Sequence, residues 1–93
     1  SVYRRHMVNF APEIERMLTL PDLAGAKAIA AYTHSIAGTA GSFGFADVSA
    51  AAFDLEAAAR RCCDLGAPIE GLDPHIQRLI LAVEASQMPH PGP

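Results

Sequence analysis

The stretch Leu23–Gly41, LAGAKAIAAYTHSIAGTAG, spaces Ile29, Thr33, Ile36 and Ala40 by four, three and four positions. That rhythm brings all four onto one side of a helix and onto neither face of a strand. Leu20 and Pro21 close the element before it, Asp22 is placed to cap the new helix, and Gly41, Ser42 and Gly44 break it.

The same rhythm continues on both sides. Downstream, Val48, Ala52, Leu55, Ala59 and Cys62 repeat it behind a cap expected at Asp47, with Gly66 as the stop. Upstream, Tyr3, Met7, Phe10, Ile14 and Met17 form a third stripe, interrupted by Pro12, which must either kink the helix or open a second helical piece at a first-turn position, since its ring clashes with the preceding turn. Past a loop holding Pro68, Asp73 and Pro74 read as a cap and first helical residue for a segment carrying Ile76, Leu79, Ile80 and Val83. Helices are therefore expected near residues 3–19, 22–41, 47–64 and 74–86, with a kink or break at Pro12. Joined by short loops, they imply an all-α antiparallel four-helix bundle over residues 1–87. Residues 88–93 hold three prolines and one glycine and read as a flexible tail.

Composition agrees with this reading and removes several function classes. Of 93 residues, 51% are hydrophobic and 18% charged, enough apolar material for one small core and too little length for two. Eighteen alanines against 6% aromatics favour helix over sheet. A net charge of -3 with scattered basic residues lacks the electrostatic footprint of nucleic-acid binding. No apolar run spans a bilayer and residues 1–10 lack a signal-peptide layout, so a cytoplasmic location without direct membrane contact is expected. The absence of Met at position 1 suggests a segment of a longer chain. The adjacent Cys62 and Cys63 are badly placed to bridge each other and are read as reduced. His6, His75 and His90 share no ligand spacing with one another or with the cysteines, and no metal site is expected. Arg4, Arg5, Arg60 and Arg61 read as solvated helix faces.

The side of the second helix opposite Ile29 and Ile36 is nearly bare. At about 100° per residue, Lys27, Ala30, Ala31, Gly38 and Gly41 fall within about 60° of His34. A glycine inside a helix costs about 1 kcal/mol relative to alanine, so two of them call for a compensating gain. Close approach of a partner, or of a group attached to the imidazole, would supply it. Alternatively Gly41 only ends the helix and Gly38 lets another helix pack. An imidazole with an unperturbed pKa of about 6.5 is mostly neutral at pH 7 and attacks phosphorus without a separate base. An ordinary surface histidine fits the same spacing.

Thr33-His34-Ser35-Ile36-Ala37-Gly38-Thr39-Ala40-Gly41-Ser42-Phe43-Gly44-Phe45 resembles the signature of histidine-containing phosphotransfer (HPt) domains, in which a phosphorylatable His is followed by Ser or Thr, an aliphatic residue, Lys and Gly. The stretch from Phe10 to Leu18, Phe53-Asp54-Leu55-Glu56, the run Ala57 to Arg61 and the last helix also resemble the family's order of elements. The resemblance implies a phosphoryl carrier, in a phosphorelay, that exchanges the group with aspartates of response-regulator receiver domains. It implies His34 as the phosphoacceptor, with Gly38 leaving room for the phosphoryl group and the docking receiver. Glu56, 22 residues after His34, resembles a carboxylate that hydrogen-bonds the histidine ring in the related domain of chemotaxis kinases; a solvated helix charge is the other reading.

One residue departs from the pattern: the usual Lys three positions after the His is Ala37, at the border of the bare strip. Lys27, two turns before His34 on the same face, could lend charge at longer range. No phosphate-cradling loop, kinase-like glycine motif or pair of acids near His34 is present, so no cofactor of the domain's own is expected and Mg²⁺ should sit on the receiver. The domain then reads as a carrier excised from a hybrid sensor histidine kinase, with a kinase core in the same parent chain, monomeric by itself and not a complete enzyme. The rival, resting on Ala37, is a degenerate bundle that keeps the fold as an unphosphorylated interaction scaffold.

Overall fold

The computed structural model describes residues 2–87, apart from the side chains of Val2, Arg4 and His6. The expected tail, with His90, lies outside the described residues. The elements are α1 (Val2–Met7), α2 (Phe10–Leu18), α3 (Asp22–Ser42), α4 (Ala46–Leu65), a 3₁₀ turn (Ile69–Leu72) and α5 (Asp73–Gln87).

The first expected helix is two. The break falls at Val8 and Asn9, and Pro12 stands in the first turn of the second piece, as the third residue of α2, one of the two outcomes open to it. In an unbroken helix the ring of Pro12 would strike the carbonyl of Val8, so the chain leaves helical geometry one turn ahead of the proline. The stripe survives the interruption, because Tyr3, Met7, Phe10, Ile14 and Met17 are all buried.

The helix starts also differ from expectation. Pro21, extended at ψ 147°, and Phe45 precede α3 and α4, while Asp22 and Asp47 fall inside the first turns and Asp73 continues directly from the 3₁₀ turn. None of these starts carries a side-chain capping bond; a carboxylate in the first turn instead gains from the helix dipole. Gly66, left-handed at φ 64°, ends α4 as the sequence implies.

α3 and α4 form an antiparallel hairpin around the turn Phe43-Gly44-Phe45, where Gly44 adopts φ 83°. Ile29, Thr33, Ile36 and Ala40 face Val48, Ala52, Leu55 and Ala59 in one core closed by Leu72, Ile76, Leu79 and Val83. Small residues on both helices let the backbones come close: the Ser49 hydroxyl donates across to the Ala37 carbonyl at 3.0 Å. At the turn end, the Tyr3 ring stacks on Phe45 at 4.2 Å and its hydroxyl pairs with Ser86 at 2.7 Å, tying α1 to the end of α5. At the far end Gly25 is a close-approach position, because a Cβ there would lie 2.7 Å from Ile69 Cδ1 and 2.8 Å from the Met17 carbonyl.

Candidate functional site

His34 lies midway along α3 with its side chain 69% exposed. The aliphatic residues before and after it are pinned in the core, which fixes the helix rotation and turns position 34 outward. Across the α3–α4 seam, Glu56 is held among Leu55, Ala52 and Ala59 of α4 and its side chain is only 9% exposed. The carboxylate is shallow rather than deep. It is covered by two exposed side chains, the His34 ring and the Arg60 guanidinium, and bonded to both.

His34 Nδ1 is 3.1 Å from Glu56 Oε2 and 3.3 Å from Oε1. Arg60, one turn further along α4, donates from Nη2 at 2.7 Å and from Nε at 3.1 Å, both to Oε2. The Arg60 hydrogen bonds are the main reason that the Glu56 carboxyl is held below its usual value of 4.5; burial opposes them and the bond to His34 adds to them. Glu56 is therefore ionised at neutral pH and can only accept. In the neutral ring Nδ1 then carries the proton, and Nε2 keeps its lone pair on the solvent side.

The surface around the ring is narrower than the sequence suggests. Lys27, Ala31, Gly38 and Gly41 are exposed, but Ala30 is buried and Ala37 is 1% exposed. Both turn toward the seam with α4, since a helix packed on more than one side buries a broader band than Ile29 and Ile36 alone define. Position 37 is interior and does not border the strip. Gly38 has open space where a Cβ would stand, with nothing within 4 Å. No element of the described chain uses its lack of a side chain. A Cβ at Gly41 would meet Ser49 Oγ at an ordinary 3.6 Å. Phe53, 52% exposed on α4, leaves an aromatic ring on the surface one turn before Glu56.

Lys27 is not brought to Glu56. It lines a shallow groove with Ala30, Ala31, Arg60, Cys63 and Asp64, so the nearest cation to the imidazole pair is Arg60. Arg60 was readable in sequence only through its offset of four from Glu56, the spacing at which helical side chains pair, and its count among basic residues hid it.

Cys62 and Cys63 are free and half-buried. Among the described residues, no group of three or more His, Cys, Asp or Glu side chains could hold a metal ion, and no helix is long and apolar enough to cross a membrane.

Neither a curated protein nor a solved structure matches the chain. The family model of the Hpt domain matches residues 3–87, a span that holds every helix contributing to the core. The chain belongs to the Hpt family, the histidine phosphotransfer domains that act in phosphorelays.

Proposed function

We propose that His34 is the phosphoacceptor and that the domain carries a phosphoryl group between receiver aspartates, as one module of a hybrid sensor histidine kinase acting in the cytoplasm. The observation that carries this reading is the exposed ring anchored at Nδ1 by the ionised Glu56 at 3.1 Å. Anchoring one nitrogen as donor leaves the other as nucleophile in a defined direction.

In the transfer, the Nε2 lone pair attacks the phosphorus of an aspartyl phosphate on the receiver. An N–P bond forms, the P–O bond to the aspartyl group breaks, and its electron pair leaves with the receiver's carboxylate. The Nδ1 proton stays in its bond to Glu56, which holds the ring in place through the step. Return to a second receiver is the reverse of this step. Charge on the phosphoryl oxygens is countered by Mg²⁺ on the receiver. The open space at Gly38 and the exposed Phe53 ring give the receiver a flat approach with one apolar contact.

A second reading, the unphosphorylated scaffold, is favoured by Ala37 in place of the usual lysine. Incubation with a ³²P-labelled receiver separates the two. The expected result is an acid-labile label on the wild type and none on His34→Gln. A label retained by His34→Gln rejects the assignment, and no label on the wild type from any receiver or from phosphoramidate favours the scaffold.

A further inference from the structure

A carboxylate beside an imidazole has two effects that oppose each other in a nucleophile. It accepts the Nδ1–H bond and so aims the ring. It also draws a second proton onto the ring, and an imidazolium has no lone pair at Nε2 with which to attack. Glu56 stands close enough to His34 for both.

The division of contacts on this carboxylate is uneven. Both Arg60 donors converge on Oε2, the shorter at 2.7 Å, while the ring is shared between Oε2 at 3.1 Å and Oε1 at 3.3 Å. We propose that Arg60 is a positioning residue for phosphotransfer: its two donors on Oε2 offset the charge of Glu56 while the carboxylate keeps its bond to the ring across both oxygens, so that His34 is aimed without being protonated. The proposal rests on His34 as phosphoacceptor and assigns to Arg60 a role that its position on an exposed helix face does not suggest.

The remaining charges near the pair do not substitute for it. From α4 the groups facing His34 are Glu56 and Arg60. On α3 itself the nearest cation is Lys27, two turns earlier, which shares a groove with Arg60, Cys63 and Asp64 while Arg60 makes the bonds to Glu56. Ala37 is buried and offers no charge. The Arg60 side chain is 63% exposed, so removing its charge does not open the core.

The test compares wild type, Arg60→Met and Arg60→Lys in the intact domain. The first readout is the ring titration of His34 in the unphosphorylated protein, followed by ¹H–¹⁵N NMR. Loss of the guanidinium should move the titration midpoint up, and Lys should restore most of the difference. The second readout is the rate of labelling by phosphoramidate from pH 6 to pH 8.5. Arg60→Met should fall several-fold below wild type at pH 6, with the deficit closing by pH 8.5, because only the protonated fraction has changed. In a Glu56→Gln background, where the carboxylate charge is gone, the same substitution should move neither profile.

An unmoved or lowered midpoint in Arg60→Met overturns the proposal. So does a loss of rate that is equal at every pH, which is the mark of a merely structural role. A raised midpoint in a protein that takes no label from any donor upholds the electrostatic role of Arg60 while removing the phosphoacceptor reading, so the two fail separately.

Discussion

Gly38→Ala is expected to stabilise the domain while larger side chains at the same position impair its function. In the interior of α3 glycine is less favourable than alanine by about 0.5–1 kcal/mol, because it surrenders more backbone freedom on folding. Nothing lies within 4 Å of the Cβ that alanine would add, so no steric charge is set against this gain. For a domain of this size each kcal/mol corresponds to about 4–8 °C in Tm, and a rise of several degrees should be visible by circular dichroism. Gly25→Ala is the matched contrast. Its Cβ would fall 2.7 Å from Ile69 Cδ1, which can move, and 2.8 Å from the Met17 carbonyl, which cannot without shifting the end of α2. A loss of about 1–3 kcal/mol is expected there. Gly38→Gln should slow transfer from a phosphorylated receiver by about tenfold, equivalent to about 1.4 kcal/mol, and disturb labelling by phosphoramidate less, since the small donor needs no docking surface. A fall in Tm for Gly38→Ala would mean that some neighbour needs the space. Unimpaired receiver transfer in Gly38→Gln would mean that the glycine does not serve access.

Three further outcomes follow from contacts around the site. Glu56 titrates below its usual 4.5 when folded, so the unfolded chain takes up its proton first as pH falls; its contribution is full above about pH 4.5 and is lost as pH drops through the folded value. Glu56→Gln should therefore cost about 1 kcal/mol at pH 7, with the difference in urea midpoint shrinking by pH 3.5; an equal difference at both values refutes the assignment. Ala37→Lys places a long chain at a buried seam position and should destabilise by about 1–3 kcal/mol even as its amine reaches toward solvent; an unchanged Tm would contradict the burial. The Arg78–Asp54 pair joins two half-exposed side chains, so Arg78→Ala should change stability by less than about 1 kcal/mol.

The core was legible in the sequence because it depends on spacing alone. The four-three rhythm named Ile29, Thr33, Ile36 and Ala40 on α3 and Val48, Ala52, Leu55, Ala59 and Cys62 on α4, and all are buried except Cys62, which is half-buried at the end of its stripe. Helix starts were less legible, since a capping residue such as Asp22 or Asp47 is equally comfortable inside a first turn, and the chain direction set by Pro21 and by the packed turn at Phe45 decides which it becomes. The break ahead of Pro12 follows from the proline itself: the ring is tolerated in the first turn of α2, and the chain leaves helical geometry at the residue whose carbonyl the ring would meet.

The site divides along the same line. A helical wheel places residues on a face but cannot tell how much of that face a neighbouring helix covers, and for this reason Ala37 was read as bordering the strip when it lies under the seam. The proximity of His34 and Glu56 is a property of the pairing between α3 and α4. Each step up one helix is matched by a step down the other, so His34 meets Glu56 just as Gly41 meets Ser49, and the offset of 22 follows from the length of the turn between them. Arg60 joins the pair through a third relation, one turn along α4 from the carboxylate. Position 60 reaches the carboxylate from the solvent side with both donors aligned on one oxygen. Position 37 lies under the seam, and the carboxylate's counter-charge comes from its own helix, one turn along α4.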